Sequence, residues 1–376
     1  MRISHKINEV LHPILLRYLD RQYRKKICRV KAKRPELFGC AGLKHVREYS
    51  QKWRSLSHRR NVDISWYVYH SRLSGVEDID YVSENIYFAY IEPVLNDLEF
   101  ASALADKNRL DEFVPRKNVP NVIVRYIRGN FLRADYSWIS DEEAQALIDS
   151  CDALIVKPSV DSSGGNGVAL WRRGDGAGLP KVSDLRKYGN TPLVIQEKIT
   201  QHPQSAVFNA SSVNTCRIMT LRCPWNGQVV VLKSMLRIGC RNEICDNMML
   251  GGVCLGVAPD GRLSKYAYDY EGNRFEVHPV TGLRFAEHAL PLYNKMCELA
   301  LSVAARVPYM NLLSFDMVAN RDSEIVCLEM NTAGQGITQL QFDGIPLFRE
   351  YTDDVIKYCC EHSAMNQFRH FRTFYW

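Results

Sequence analysis

The apolar positions of this chain open at a helical period. Ile7, Val10, Leu11, Ile14, Leu15, Tyr18 and Leu19 recur at the spacing of one helix face, with Arg17, Arg21, Arg24, Lys25 and Lys26 on or beside the other faces. Pro13 either opens this helix at its first turn or kinks it. A basic amphipathic helix can lie on an anionic membrane surface or dock on a partner. The simpler reading is that its stripe packs on the protein's own core. From Gly42 to about Asp111 helix and loop patterns mix, with no repeat and no low-complexity run.

The pattern then turns to short apolar runs. Asn121 to Ile127 is β-branched and predicts a strand, closed by a Gly129-Asn130 turn. Ser140 with Glu143 predicts a capping box opening a helix to about Ser150. Ala153 to Val156 reads as a buried strand delivering Lys157 and Pro158, and Val168 to Trp171 as a second strand. Between them lies Asp161-Ser162-Ser163-Gly164-Gly165-Asn166-Gly167. A glycine-rich loop between strands suits a lid whose N–H groups close over phosphates, because glycine permits positive φ and close approach. No helix follows the glycines, so it is neither a P-loop nor a dinucleotide fingerprint.

Pro192 to Ile199 is an apolar strand ending in Glu197, Lys198 and Ile199, a hinge able to meet an adenine edge and its faces. Asn214 and Arg217 lead into Ile218 to Leu221, and Val229 to Gly239 reads as a further strand carrying Arg237 near its end. Taken singly, such cations read as solvated strand edges. Pro291 opens a helix whose Leu292, Met296, Leu299, Ala300 and Val303 share a core face, and a last helix spans about Leu347 to Glu361.

Two apolar runs near the end, Leu312 to Val318 and Ile325 to Met330, flank a polar turn at 320–323 and predict an antiparallel hairpin. Pairing centred on that turn sets Asp316 opposite Glu329, Ser314 opposite Asn331 and Val318 opposite Cys327, with all six on one face. Opposed carboxylates repel unless a cation lies between them. One or two carboxylates plus a substrate phosphate are what Mg²⁺ accepts. By itself the hairpin also reads as a surface hairpin with its acids in water.

The composition, 46% hydrophobic and 24% charged over 376 residues, is that of a soluble globular protein. No apolar run approaches the roughly 18 residues of a membrane span, and no signal peptide is evident, so the expected location is cytoplasmic. Peripheral membrane contact through residues 1–34 stays open. The twelve cysteines show no C-x-x-C pair or zinc spacing and read as reduced thiols. The net charge of +6 is uneven: residues 1–60 hold 17 Lys and Arg against 4 Asp and Glu, which leaves −7 on residues 61–376. Basicity confined to one arm argues against a nucleic-acid surface.

The ordered set resembles the ATP-grasp superfamily. More narrowly, DKN at 106–108, VKPSVDSSGGNGV at 156–168, VNTCRI at 213–218, LRIG at 236–239, DN and GG within 246–252, HPVTG at 278–282 and the closing D…E-x-N resemble the sugar-transfer-associated ATP-grasp family. The resemblance implies an α+β ATP-grasp fold, two lobes gripping nucleotide after a mostly helical N-terminal region. The implied divisions are 1–118, a small lobe at 119–200, a large lobe at 201–345, and a helix and tail at 346–376. It implies ATP and Mg²⁺ as cofactors. Lys157 would contact phosphates, with Ser163, Gly164, Gly165 and Gly167 as the lid and Glu197, Lys198 and Ile199 as the adenine hinge. Arg217 and Arg237 would hold the transferring phosphoryl group, and Asp316, Glu329 and Asn331 the metal, Asn331 counting also among the catalytic residues. Asn247, Gly251, Gly252 and His278 are the candidate acceptor residues. The implied activity is a carboxylate–amine or carboxylate–thiol ligase working through an acyl phosphate in cell-surface glycan assembly, on small-molecule or carbohydrate-linked substrates. An ATP-grasp kinase acting on a hydroxyl, and a non-catalytic ATP-binding scaffold docked on a glycan-assembly complex, remain alternatives; the oligomeric state is left open.

Overall fold

The computed structural model describes residues 2–57, 62–160, 165–176, 178–240, 246, 248 and 251–362. The strand-forming runs assemble into two antiparallel sheets. The first contains β1 (Val122–Ile127), β2 (Asn130–Leu132), β3 (Trp138–Ile139), β4 (Ala153–Pro158), β5 (Ala169–Arg172) and β6 (Leu193–Glu197), in the order β3-β2-β1-β6-β4-β5. The second contains β7 (Cys216–Arg222), β8 (Val229–Ile238), β9 (Val253–Gly256), β10 (Ala267–Tyr268), β11 (Arg274–Phe275), β12 (Leu312–Ala319) and β13 (Ile325–Asn331), in the order β11-β10-β9-β8-β7-β12-β13. The fold is α+β. The capping box forms as expected, Ser140 accepting from the Glu143 N–H and Glu143 from the Ser140 N–H. The last helix begins at Thr352 rather than Leu347, because Arg349 takes a positive φ of +51°, through which an α-helix does not run, and Leu347 and Phe348 are buried in the core ahead of it.

Strand alternation gives the large sheet two distinct faces. Cys216, Ile218, Leu236, Ile238, Phe315 and Met317 point to a core shared with Met296, Ala300 and Val303 of the helix Tyr293–Ala304. Met219, Leu221, Met235 and Cys254 point the other way, onto Trp66, Tyr87 and Ile91 of the N-terminal helical region and onto Leu340 and Phe342. Arg217, Arg237 and Asp316 alternate with the first set and so share the second face. The eleven described cysteines are all free thiols.

The N-terminal helix runs Arg2–Lys33, straight through Pro13. Its later half is fixed to the body: Ile27 is 1% exposed, Tyr23 stacks on Phe88 at 4.4 Å, Arg24 Nη1 meets Asp63 at 2.8 Å and Lys26 Nζ meets Glu84 at 2.6 Å. Earlier on the helix, Ile14 and Tyr18 are each 56% exposed, so the expectation that the stripe packs on the core fails at both positions. The body-facing side of the helix is a different one. The side chains of Ile7, Val10, Leu11, Leu15 and Leu19 lie outside the described residues.

Candidate active site

β12 and β13 pair as a hairpin in which Ser314 faces Asn331 and Asp316 faces Glu329. The expected pairing stops there. Met317 faces Cys327 and Val318 faces Val326, so Leu328 is the additional residue of a β-bulge. The bulge turns Cys327 into the core beside Met317, away from the acids, which corrects the six-residue face to Ser314, Asp316, Glu329 and Asn331 without Val318–Cys327 as a pair. It also releases the Leu328 carbonyl from the ladder, and Lys157 Nζ, at the end of β4 in the other sheet, donates to it at 3.4 Å.

Asp316 is 3% exposed and held by two arginines. Arg217, directly opposite on β7, donates through Nε and Nη2 at 2.8 Å to both carboxylate oxygens, a bidentate fork. Arg237 on β8 adds Nη2 at 2.9 Å and is oriented by Thr215 Oγ1, which accepts from it at 2.7 Å. Thr215 in turn gives its N–H at 2.9 Å and its hydroxyl at 2.5 Å to Asp246, which lies 3.7 Å from Arg237 Nε. Burial alone would raise the Asp316 carboxyl; the charges of Arg217 and Arg237 override it and hold the group well below the usual carboxylate range. For Asp246 burial dominates and raises the carboxyl, with Arg237 and Thr215 opposing. Burial works against the Arg237 charge, and Asp316 and Asp246 more than restore it.

Glu329 is met by a residue to which the sequence reading assigned no role. Lys107 Nζ, 7% exposed, lies 2.9 Å from Glu329 Oε1. The Asp106-Lys107-Asn108 segment is clamped on the small sheet. Lys107 N–H donates to the Ser159 carbonyl at 2.9 Å, Asn108 Nδ2 to the Leu193 carbonyl at 3.2 Å, and the buried Arg125 and half-buried Tyr136 donate to the Asn108 carbonyl. One side chain thus joins the two sheets. The signal for it was present in the DKN match, but a lone lysine in a short turn has no period to mark its direction.

The lid loop joins β4 to β5. Gly165 and Gly167 both take positive φ, +78° and +75°. At Gly167 a Cβ would come 2.9 Å from Pro158 Cγ, so conformation and space both demand glycine. Ser163 and Gly164 lie outside the described residues, as does Asn247. Glu197 ends β6 and is exposed, with Lys198 and Ile199 half-buried after it. Gly251 is exposed at φ +92° and Gly252 is buried. His278 is 1% exposed, its Nδ1 within 3.1 Å of Thr281 Oγ1 and its Nε2 within 3.3 Å of the Gly239 carbonyl and 3.4 Å of Cys240 Sγ. It therefore braces the turn after β8, with both ring nitrogens engaged. Burial lowers its pKa, the Gly239 carbonyl opposing.

Residues 89–352 match the family described as sugar-transfer associated ATP-grasp. The chain belongs to that family. No curated protein matches it in sequence. Among solved structures, this ATP-grasp chain is similar to the biotin carboxylase domain of Hydrogenobacter thermophilus 2-oxoglutarate carboxylase, at 15% identity and TM-score 0.42, over 71% of this chain and 47% of that one. It is similar also to the ATP-grasp ligase PsnB, at 10% identity and TM-score 0.40, over 70% and 62%. With the VanG D-Ala:D-Ser ligase of Enterococcus faecalis it shares 14% identity at TM-score 0.39, over 68% and 61%. The ATP-grasp chain thus spans about half to three fifths of the length of these proteins.

Proposed function

We propose that this ATP-grasp chain is an Mg²⁺- and ATP-dependent ligase that activates a carboxylate as an acyl phosphate for attack by an amine or thiol, in the assembly of a cell-surface glycan. The observation that carries the reading is the opposition of Asp316 and Glu329 in register, with Arg217, Arg237, Lys107 and Lys157 around them. Four cations against Asp316, Glu329 and Asp246 leave the cluster one charge positive, which favours a polyphosphate anion.

The residue types fit a hard cation. Asp316, Glu329 and Asn331 share one face; the carboxylate oxygens that already accept from Arg217, Arg237 and Lys107 would meet the ion through their remaining lone pairs, and the buried Asn331 Nδ2, which finds no hydrogen-bond partner among the described residues, is a donor for a phosphate oxygen. Among the described residues no group of three or more His, Cys, Asp or Glu could hold a metal, and two carboxylates with one amide suit Mg²⁺ that keeps waters and phosphate oxygens as its other ligands. Bound there, Mg²⁺ would supply charge neutralisation to the nucleotide phosphates. Lys157 and Lys107 would hold those phosphates between the two sheets, and the lid at Gly165 and Gly167 would exclude water. Arg217 and Arg237 would stabilise charge on the transferring group; losing one such preorganised donor costs about 3 kcal/mol of barrier, roughly a hundredfold in rate.

The test is phosphate release from ATP and Mg²⁺ over a panel of carboxylates with amines and thiols, with mass spectrometry of the product. An amide or thioester is expected, and Asp316→Asn or Glu329→Gln should abolish turnover. A stable phosphoester would replace the ligase by a kinase, and full activity in both variants would overturn the metal site.

A further inference from the structure

The helix Arg2–Lys33 carries apolar residues on two sides, exposed at Ile14 and Tyr18 and turned to the body at Tyr23 and Ile27. Asp20, Tyr23, Arg24 and Ile27 form the side against the body, through the contacts described above. On the other side Ile14, Tyr18, Arg21, Lys25, Arg29 and Ala32 are all exposed. At 100° per residue these six lie within an arc of roughly 80°, centred opposite the body-facing side. In the sequence, Ile7, Val10 and Leu11 precede Ile14 by seven, four and three residues, the spacing that continues this line.

We propose that this outward face docks on an anionic lipid bilayer, with Ile14 and Tyr18 entering the headgroup boundary and Arg21, Lys25 and Arg29 meeting the headgroups. The order along the face argues for lipid over protein: an apolar and aromatic end, then three cations, and no acid on the line. The cations that the fold uses for itself are different ones. Arg24 pairs with Asp20 and Asp63, Lys26 with Glu84 and Lys33 with Glu271, whereas Arg21, Lys25 and Arg29 make no ion pair among the described residues. Residues 1–34 hold 11 Lys and Arg against 2 Asp and Glu, while residues 61–376 carry −7, so an anionic surface attracts the arm and repels the body. An interfacial helix needs this combination of exposed apolar and cationic residues on one face. No helix among the described residues is long and apolar enough to cross a membrane, so the contact is peripheral.

The full chain is sedimented with phosphatidylcholine vesicles holding about a third phosphatidylserine and with vesicles of phosphatidylcholine alone, at low and high salt. Binding is expected only to the anionic vesicles and to fall with salt. Arg21→Gln, Lys25→Gln, Arg29→Gln together should weaken it on the order of a hundredfold, about fivefold for each cation. Ile14→Ser with Tyr18→Ser should weaken it at unchanged charge. Thermal unfolding of each variant at the wild-type temperature shows that the fold is intact. Equal binding to neutral vesicles, or wild-type binding by both variants, overturns the proposal. So does a concentration-dependent dimer, broken by Ile14→Ser and Tyr18→Ser, in a protein that ignores vesicles; that result would assign the face to a second copy.

Discussion

Asp316 is the residue on which the charge balance of the site rests. Buried, and ionised only because Arg217 and Arg237 hold it, it resembles the ion pairs whose rupture costs about 3–5 kcal/mol. Arg217→Met is expected to lower unfolding free energy by less than that, about 1.5–3 kcal/mol in urea titration, because Arg237 still meets the acid. Its folded pKa lies below the unfolded value, so the stabilisation is full above the usual carboxylate pKa near 4 and is lost as the pH falls below it. Glu92 has the opposite sign. It is 3% exposed, and burial pushes its carboxyl up to about 7 from 4.5, against N–H donation from Gly334 and Gln335 and the Tyr87 hydroxyl. The native state therefore keeps a proton that the unfolded chain has released, so the contribution is full below about pH 4.5 and lost as the pH rises through 7. Glu92→Gln should remove this loss, gaining about 3 kcal/mol on wild type between pH 4 and pH 8 in urea titrations. Asp316, Glu329 and Asn331 were legible because strand alternation fixes direction. Lys107 was not, since only the clamping of Asn108 on the small sheet aims it, and the burial of His278 is reported by no local pattern.

Among the elements, those with a strict period were read correctly and those interrupted by one residue were not. β1, β4, β6 and the helix Tyr293–Ala304 follow their apolar patterns closely. The hairpin departs at Leu328, because nothing in the composition of Ile325 to Asn331 distinguishes a bulge from a regular ladder. The N-terminal helix departs for another reason: Ile14 and Tyr18 are exposed on one side, whereas Tyr23 and Ile27 face the body from another, and one apolar period does not distinguish the two. The lid gives a test at this scale. Gly167→Ala puts a side chain at φ +75° and 2.9 Å from Pro158, and should cost at least 1 kcal/mol of stability while raising KM for ATP more than it lowers kcat. An unchanged KM would remove the loop from nucleotide binding.

At the scale of the whole chain, the candidate site is assembled from three separated stretches: Lys107 before the small sheet, Lys157 within it, and the arginines and acids of the large sheet. Individual strands could be found in the sequence, but not their order. β6 lies between β1 and β4, and β12 beside β7 across nearly a hundred residues of chain, pairings that no local pattern specifies. A ligand touching all three stretches should tie them together. Mg-ATP at a hundred times its Kd is expected to add about 2.7 kcal/mol to unfolding free energy and raise Tm accordingly. Lys107→Met with Lys157→Met should erase most of that shift in a thermal scan with and without nucleotide, and an undiminished shift would place the nucleotide elsewhere.

The bulge at Leu328 also acts as a key for assembly. A one-residue slip of β13 against β12 would exchange its two faces, sending Glu329 into the core and Met330 to the surface. In the native register a carbonyl stands free of the ladder where Lys157 arrives from the other sheet, and Glu329 stands where Lys107 arrives. Lys157 of the small sheet and Lys107 clamped beside it thereby meet the hairpin of the other sheet only in this alignment. A misaligned hairpin offers neither partner, so the sheets come together with their lysines satisfied only after the hairpin has closed correctly.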